Sequence, residues 1–234
     1  MSCSTFFIAG TDTGVGKTRV TAGLLVAARA EGLTVAGMKP VATGAERQDG
    51  RLVSDDALRI AAASSAPISY EDLNPYCLLE PISPHIAANR ADIEIDIGKI
   101  VEISHRLRNG RDLLLIEGAG GWYTPISENL SLADLARALE APVVLVVALK
   151  VGCLNHARLT VEAIGRSGCR FAGWIANRVD PDFEAGDENL ATLKHLLGAA
   201  PLGVLPYAID SEGDARQLRG ALPHLRTSRK REIT

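Results

Sequence analysis

The chain has few aromatic residues, no long apolar run and no excess of charge of either sign, and each absence narrows the functions it can have. Aromatic residues make up 4% of the chain and hydrophobic residues 47%, so we expect an aliphatic core of the kind found in buried parallel sheets. The longest apolar run, residues 141–149, is far too short to span a membrane. The net charge of −3 argues against a general nucleic-acid or membrane-surface binder.

The four cysteines are scattered, with no CxxC pair and no histidine at metal-ligand spacing, so we expect reduced thiols rather than a disulfide framework or a zinc site. The first residues contain no basic region followed by a long apolar core, and a secretory signal is therefore not predicted. These features together predict a cytoplasmic protein.

Apolar runs that resemble strands alternate along the chain with helical patterns. The predicted strands are Thr5–Ala9, Thr34–Met38, Leu113–Ile116, Val143–Ala148, Ala172–Ala176 and Leu202–Leu205. The predicted helices are Lys17–Ala30, Asp55–Ala63, Ile97–Arg108, Leu132–Leu139, Asn155–Ser167 and Glu188–Leu197. Such alternation predicts an α/β fold of three layers, with a mostly parallel central sheet and helices on both faces. We expect one domain over residues 1–224, with a proline-rich irregular excursion at 66–91 and a solvated basic tail at 225–234.

The glycine-rich segment GTDTGVGKT, residues 10–18, is the strongest functional signal. It lies between an apolar run and a helical pattern, which is the context of a phosphate-binding P-loop. We expect the backbone of Gly14, Val15 and Gly16 to hold phosphates, with Lys17 reaching the β- and γ-phosphates and the Thr18 hydroxyl binding Mg²⁺. The fold class is therefore predicted to be P-loop NTPase-like. An ordinary glycine-rich turn is the alternative, because Thr11 stands where the motif usually begins with glycine.

Polar residues follow two other predicted strands, at the edge where ligands bind in such sheets. Lys39 comes directly after Met38 and is followed by Pro40, so we expect it to point into the crevice rather than into solvent, and Thr43 offers a hydroxyl from the same turn. Glu117 closes an apolar strand ahead of several glycines. That is the place of the acid that holds Mg²⁺ in nucleoside triphosphatases.

Three further segments each have two interpretations. Asp55 and Asp56 open a helix, where one could be the N-cap and the other could hold Mg²⁺. The segment 152–155 could bind a carboxylate with free backbone N–H groups, or could be a plain loop with Asn155 as N-cap. The segment 177–180 could read a purine with Asn177 and, as a variant of the NKxD guanine reader, could select guanine with Asp180; a turn before Pro181 explains it equally well.

In this order, the motifs resemble the dethiobiotin synthetase family over about residues 6–206. The segments that carry the resemblance are GTDTGVGKT, MKPVATG, SDDALRI, NPYCLLEPISPHIAA, EGAGGWYTPIS, KVGCLNH and GWIANRVD. The resemblance implies ATP-dependent carboxylation and ring closure of 7,8-diaminononanoate with CO₂, through a carbamate and a carbamic–phosphoric anhydride. The products would be dethiobiotin, ADP and phosphate. Asp12 stands where partition ATPases usually carry a lysine.

The resemblance also implies a role for each site residue. Lys39 and Lys17 would be catalytic, and Thr18, Asp56 and Glu117 would hold Mg²⁺. The nucleotide contacts would be Gly14, Val15, Gly16, Lys17, Thr18, Asp56, Glu117, Gly118, Ala119, Gly120, Asn177, Arg178, Pro206, Tyr207 and Ala208. The substrate contacts would be Thr43 and, from the other subunit of a homodimer, Gly152, Cys153, Leu154 and Asn155.

Two other functions remain as alternatives. A P-loop ATPase switch of the partition type would hydrolyse ATP regardless of any diamine. A related amide-forming synthetase with amidotransferase activity would need a glutaminase domain with a nucleophilic cysteine, of which the sequence shows no sign. The choice between ATP and GTP stays open because of Asp180.

Overall fold

The computed structural model describes residues 3–208 and 211–225. The strands are β1 (Ser4–Gly10), β2 (Val35–Met38), β3 (Val41–Ala42), β4 (Glu46–Gln48), β5 (Arg51–Val53), β6 (Tyr76–Cys77), β7 (Leu113–Glu117), β8 (Val143–Leu149), β9 (Phe171–Arg178) and β10 (Gly203–Leu205). The helices are α1 (Lys17–Ala30), α2 (Asp55–Ala63), α3 (Tyr70–Leu73), α4 (Pro84–Arg90), α5 (Ile97–Arg108), α6 (Leu132–Ala138), α7 (Cys153–Arg166), α8 (Gly186–Leu196) and α9 (Ser211–Leu218). A 3₁₀ helix, Arg219–Leu225, follows α9.

The central sheet has six strands in the order β10-β9-β8-β1-β7-β2, and every neighbouring pair is parallel. β1 lies inside the sheet, where Phe7 is in register with Ile116 on one side and Val143 on the other. The loop after β1 therefore opens at the centre of the sheet edge. The predicted α/β class with a parallel sheet is confirmed.

Two apolar cores cover the two faces of the sheet. Successive side chains of a strand point to opposite faces, and in β1 Phe7 packs into one core while Phe6 and Ile8 pack into the other. The core around Phe7 takes side chains from α4 to α8. The core around Ile8 takes side chains from α1, α2 and α9, which completes the three layers.

The predicted irregular excursion at 66–91 contains regular structure after all. It includes α3, α4 and the short strand β6, which pairs in parallel with β3. The hairpin of β4 and β5 was also missed by the strand pattern, because its residues are mostly polar and exposed. Its turn, Asp49-Gly50, has both residues at positive φ, and an Asp-Gly pair is a usual hairpin signal.

The chain end differs from its prediction at one residue. Leu225 was assigned to the solvated tail, but it ends the 3₁₀ helix and is buried; residues 226–234 lie outside the described residues.

The four cysteines are free. Among residues 3–208 and 211–225, no helix is both long and apolar enough to cross a membrane.

Candidate active site

The glycine-rich loop joins β1 to α1, and its last glycine is required by close packing. Gly16 has a φ of 92°, and a Cβ built on it would lie 2.1 Å from Nδ2 of Asn177. No other residue fits there. Lys17 begins α1 and is buried, and its Nζ donates to the carbonyls of Asp12 at 2.9 Å and Gly120 at 2.7 Å. The lysine thus spans the mouth of the loop, and its partners among the described residues are these two carbonyls.

Lys39 lies just beyond β2, and contacts of both its backbone and its side chain hold it in place. Its backbone N–H donates to the Leu73 carbonyl at 2.8 Å, and its carbonyl accepts from Nδ2 of Asn74 at 2.7 Å. Its buried Nζ lies 2.6 Å from Oε1 of Glu117 and 3.1 Å from Oδ2 of Asp56. The lysine at the end of the second strand thus enters the interior of the crevice.

Glu117, the last residue of β7, is fully buried and only half satisfied. Its Oε1 accepts from the Thr18 hydroxyl at 2.8 Å and from Lys39, whereas Oε2 has no partner among the described residues. A buried polar atom without a partner costs about 1–3 kcal/mol, so such an atom calls for an explanation. A bound cation would supply the missing partner.

Helix α2 resolves the choice between Asp55 and Asp56. The N-cap is Ser54, whose side chain accepts from the Ala57 N–H, so the prediction that one of the aspartates caps the helix is wrong. Asp55 is exposed and pairs with Arg59 at 3.2 Å. Asp56 faces Lys39 and is the aspartate that lies in the site.

The described residues hold no group of three or more His, Cys, Asp and Glu side chains that could bind a metal ion. The predicted set consists of two carboxylates and one hydroxyl, Asp56, Glu117 and Thr18. Mg²⁺ commonly binds to one or two carboxylates and completes its shell with water and phosphate oxygens. The donor set therefore fits Mg²⁺ held together with a nucleotide, and does not fit an all-protein metal cage.

Burial and neighbouring charges shift the lysines in opposite directions. Burial, and then the charge of Lys39, lowers the pKa of Lys17 to about 8. Burial also acts against the charge on Lys39, but the carboxylates of Glu117 and Asp56 outweigh it and hold the pKa of Lys39 above its usual value. For Asp56, burial is outweighed by Lys39, and its pKa is lowered. Both lysines are mainly cationic at neutral pH.

These groups line one cavity of about 600 Å³. Lys17, Lys39 and the predicted substrate contact Thr43 share it with the predicted magnesium ligands. The rest of its wall includes Thr13, Gly14, Gly16, Arg19, Ala42, Arg59, Pro81, Ile82, Ser83, Pro84, Ala119, Gly120 and Thr124. Residues 81–84, at the start of α4, therefore form part of the cavity wall. They belong to a motif that carries the family resemblance, but no site residue was predicted among them.

The ends of β9 and β10 form a second polar cluster next to the glycine-rich loop. Asn177 is 2% exposed, and its Nδ2 donates to the Val15 carbonyl at 2.9 Å. Its Oδ1 accepts from Arg19 at 3.0 Å, and Arg19 also pairs with Asp214 and donates to the Pro206 carbonyl. Sequence reasoning missed Arg19 and Asp214, because each resembles an ordinary polar position on an amphipathic helix.

The other residues near this cluster that were predicted to contact the nucleotide do not all point toward the glycine-rich loop. Tyr207 is half exposed, and Ala208 has a φ of 41°. Arg178 lies on the opposite face of β9 from Asn177 and pairs with Asp187 of α8, so the structure does not bring its side chain to the loop. Asp180 is exposed, and its side chain accepts a hydrogen bond from the Asp182 N–H at 2.9 Å. This contact belongs to the turn around Pro181, which was the alternative interpretation to a guanine reader.

Residues 152–155 do not line the cavity of their own chain. Gly152, with a φ of 89°, is the N-cap of α7, and Cys153, Leu154 and Asn155 form its first turn. The alternative with Asn155 as the N-cap is therefore wrong. Cys153 is buried, whereas Val151 just ahead of it is 84% exposed. This helix N-terminus is not part of the wall of the cavity that its own chain forms.

Solved structures share the architecture. The cell division ATPase MinD from Pyrococcus furiosus matches with a TM-score of 0.57 and 19% identity, covering 96% of this chain and 98% of that chain. A ParA family ATPase from Chlorobium tepidum matches with a TM-score of 0.55 and 13% identity, covering 94% and 92%. At such identities the likeness shows the fold alone. The fold and the glycine-rich loop define a P-loop NTPase-like protein, as predicted.

Comparison of sequences is more specific. A family model described as AAA domain matches residues 4–215. The ATP-dependent dethiobiotin synthetase BioD of Aromatoleum aromaticum is 47% identical over 207 residues, which is 88% of this chain and 92% of that protein. The BioD protein of Chromohalobacter salexigens is 46% identical over 222 residues, 91% of this chain and 94% of that one. The chain therefore belongs to the ATP-dependent dethiobiotin synthetase family and is an enzyme of the ligase class, as the motifs indicated.

Proposed function

We propose that the enzyme joins CO₂ to 7,8-diaminononanoate and closes the cyclic urea of dethiobiotin, converting one ATP to ADP and phosphate. The names of its relatives support the overall reaction. The observation that carries the proposal is that Lys17 and Lys39 lie on one cavity, beside a glycine-rich loop and two carboxylates. Two anions, a carbamate and a triphosphate, can meet there without strong mutual repulsion.

We propose that the triphosphate binds along residues 14–18. The loop amides and the N-terminus of α1 form an anion-binding site, and α1 has no acidic residue in its first turn to oppose it. Lys17 would exchange its two carbonyl partners for phosphate oxygens. Residues 117–120 would lie against the nucleotide, and Asn177 with residues 206–208 would frame the base.

Thr18, Asp56 and Glu117 would hold Mg²⁺. Two observations support this assignment: Oε2 of Glu117 has no partner among the residues that the structure describes, and the Thr18 hydroxyl donates to Oε1 of the same carboxylate. When bound, the ion would neutralise phosphate charge that builds up during transfer. In the structure without ligand, Lys39 is paired to both carboxylates. With Mg²⁺ bound, the carboxylates would be shared between Lys39 and the ion, and the ammonium group of Lys39 would be available to oxygen anions in the cavity.

The reaction that these residues would serve has three steps. One amine of the diamine attacks CO₂ and loses a proton, which gives a carbamate. A carbamate oxygen attacks the γ-phosphorus, the bond from phosphorus to the β,γ-bridging oxygen breaks, and ADP leaves. The second amine attacks the carbonyl carbon of the resulting anhydride, the C–O bond breaks and phosphate leaves, with the amine proton passing to solvent. Lys39 and Lys17 would hold the reacting oxygens together and stabilise the charge on them.

We propose that the working enzyme is a homodimer and that residues 152–155 hold the distal carboxylate of the diamine for the partner's site. The first N–H groups of a helix have no partner within the helix and attract anions. In this chain those groups lie outside the cavity, next to exposed apolar Val151 and Leu159. Thr43, inside the cavity, would contact the diamine from the other direction.

Mixing two defective variants tests the shared site. Lys39→Ala removes the lysine, and Asn155→Glu places a negative charge where the substrate carboxylate would bind; Asn155 is exposed, so the fold should tolerate the change. In a mixed dimer one site has both residues intact. Activity that appears only on co-refolding of the two variants supports the proposal, whereas a mixture as inactive as its components contradicts it.

We also place the enzyme in the cytoplasm as part of this proposal. All four cysteines are free thiols, which favours a reducing compartment. Recovery of the protein in the periplasmic fraction of its cells would contradict this placement.

The reaction itself is tested by mass spectrometry. Diamine, bicarbonate and ATP with Mg²⁺ should give the cyclic urea, one equivalent of phosphate per product, and little phosphate when either the diamine or bicarbonate is left out. Steady phosphate release without the diamine, and no cyclic urea, would support the alternative of a partition-type switch.

A further inference from the structure

Lys39 and Asp56 reach the cavity from different elements, and the hydroxyl of one tyrosine joins those elements. Tyr70, on α3, accepts the backbone N–H of Ser54 at 2.7 Å, and Ser54 is the N-cap of α2, the helix that carries Asp56. The same hydroxyl donates to Oδ1 of Asn74 at 3.1 Å, and Nδ2 of Asn74 donates to the carbonyl of Lys39 at 2.7 Å. The hydroxyl therefore connects the start of α2 to the backbone of Lys39.

The hydrogen bonds of this connection all run in one direction, from α2 to Lys39. Nδ2 of Asn74 faces the carbonyls of Lys39 and Tyr76, which can only accept, so the amide oxygen must face the tyrosine. That oxygen also can only accept, so it takes the one proton of the Tyr70 hydroxyl. Burial raises the pKa of Tyr70 far above its usual value. The hydroxyl therefore keeps its proton, and the connection does not change with pH near neutrality.

The two ends of α2 are held to the rest of the site by different contacts. At the C-terminal end, Oγ of Ser64 accepts from the Gly37 N–H of β2 at 3.0 Å. At the N-terminal end the ion pair of Lys39 and Asp56 spans the gap, but both of its groups would also serve ligands. The bonds through Tyr70 use a hydroxyl, an amide and backbone groups, to which the proposed function gives no ligand. They can therefore hold the spacing while ligands bind.

We propose that Tyr70 is a positioning residue that sets the distance between Lys39 and Asp56, given that these two have the roles stated in the proposed function. Without the hydroxyl, the start of α2 and the Asn74 amide each lose a partner, and α2 can shift relative to Lys39. A misplacement of about 1 Å can reduce a rate about 10²-fold. Residues 14–18 approach the cavity from β1 and α1, so binding of the nucleotide without Mg²⁺ should depend little on Tyr70.

Tyr70→Phe tests this role, because it removes the hydroxyl and keeps the ring. Calorimetry with a non-hydrolysable ATP analogue, with Mg²⁺ and with a chelator, gives the factor by which Mg²⁺ increases affinity. We expect that factor to fall about tenfold, as for other residues that support a metal ligand, and kcat to fall about tenfold or more. Affinity in the chelator should change by less than about twofold.

Tyr76→Phe is the matched control. Tyr76 and Tyr70 line the same second cavity of about 820 Å³, and the Tyr76 hydroxyl also accepts a backbone N–H, that of Asp96 at 2.9 Å. Asp96 is the N-cap of α5, so this bond supports a different helix. Thermal unfolding should show a similar loss of stability in both variants, with the Mg²⁺ factor and kcat unchanged in Tyr76→Phe. An unchanged Mg²⁺ factor in Tyr70→Phe, or an equal fall in both variants, would overturn the inference.

A double-mutant cycle tests whether Tyr70 acts through Asp56. In Asp56→Asn the Mg²⁺ factor should already be low, and adding Tyr70→Phe should lower it by less than about twofold more. A further fall as large as the one in the wild-type background would show that the two residues act independently, which contradicts the proposed role.

The Mg²⁺ factor also separates this inference from the proposed reaction. Binding of the analogue needs no turnover, so a smaller factor in Tyr70→Phe supports the placement of Asp56 even if no cyclic urea is formed. If Tyr70→Phe forms the cyclic urea at the wild-type rate and keeps the wild-type factor, Tyr70 has no positioning role and the reaction stands.

Discussion

The two ends of the proposed nucleotide site lie on one sheet edge and are stabilised in opposite ways. At the phosphate end, beyond β1, β2 and β7, two lysines and two carboxylates share a cavity, and Oε2 of Glu117 has no partner in the described part of the chain. At the base end, beyond β9 and β10, a neutral amide is held by the backbone and by an arginine whose charge is already paired. The first end would gain partners when ligands bind, whereas the amide of the second end is already held by the protein.

The difference follows from the chemistry that each end would perform. Phosphoryl transfer depends on stabilising charge that develops in the transition state, so charged groups gathered in one cavity suit the phosphate end. Recognition of a base depends on a fixed pattern of donors and acceptors, which a rigid hydrogen-bonded amide provides. Substitutions at the phosphate end should therefore affect turnover, and substitutions at the base end should affect the choice of nucleotide.

The largest effect should come from Lys39→Ala. Because Lys39 is a buried cation next to the proposed site of the carbamate, we expect turnover to fall by about 10³-fold or more, while ATP affinity changes only a few-fold. The measurements are product formation and ATP calorimetry, with thermal unfolding as a check on the fold. Lys194→Ala, an exposed lysine on α8, is the control. Near-normal turnover in Lys39→Ala would remove the cation from the chemistry.

The second effect should come from Glu117→Gln. The amide keeps the shape of the side chain but loses its charge, so we expect turnover to fall by about 10²-fold and the Mg²⁺ concentration for half-maximal activity to rise. A titration of activity with Mg²⁺ measures both. Glu128→Gln, on the exposed loop before α6, should leave the titration unchanged. An unaltered Mg²⁺ requirement in Glu117→Gln would show that the unpartnered Oε2 is not a metal ligand.

A smaller effect should come from pH at the phosphate end. The pKa of Lys17 is about 8 in the ligand-free protein, and bound phosphates favour its charged form, so binding should raise that pKa. Affinity for the triphosphate should then be complete below about pH 8 and should weaken as the pH rises above it. Calorimetry in two buffers of different ionisation enthalpy should detect proton uptake on binding near that pH.

Lys17→Arg is the control for this pH dependence. An arginine stays charged throughout the range, so its proton uptake should disappear even if its affinity is lower. Proton uptake that persists in Lys17→Arg would assign the titration to another group.

The smallest effect should come from Asp180→Ala. Asp180 is exposed and stabilises only the turn after β9, so we expect less than about a twofold change in ATP use. The rates with ATP and with GTP measure it. If only the rate with GTP falls, the segment 177–180 reads guanine.

Much of the phosphate end could be predicted from the sequence, because its motifs depend on local order. The glycine-rich loop, Lys39 and Glu117 each follow an apolar strand directly, and parallel strands bring their carboxyl ends to one edge. The local pattern left the choice between Asp55 and Asp56 open, because that choice depends on Ser54 as N-cap and on the helical phase that this sets; only the family resemblance implied Asp56. The first turn of α7 was placed two residues late for a similar reason, since Gly152 is the cap.

The base end was less predictable because its contacts join distant parts of the chain. Arg19 on α1 meets Asp214 on α9 and Asn177 on β9, and no local pattern marks any of these pairs. The opposite orientation of Arg178 follows from the alternation along β9, which a motif of four letters does not show. The hairpin of β4 and β5 was missed because its strands bury no apolar face.

The central claim is that the cationic cavity brings the CO₂ adduct into reaction with the terminal phosphoryl group. In the proposed sequence the oxygen that links carbon to phosphorus originates in CO₂ and leaves with the phosphate. Rapid mixing of the enzyme, ATP and diamine with ¹⁸O-labelled CO₂ in unlabelled water, before the label exchanges, should give phosphate that carries one ¹⁸O. Unlabelled phosphate alongside normal formation of the cyclic urea would contradict the account.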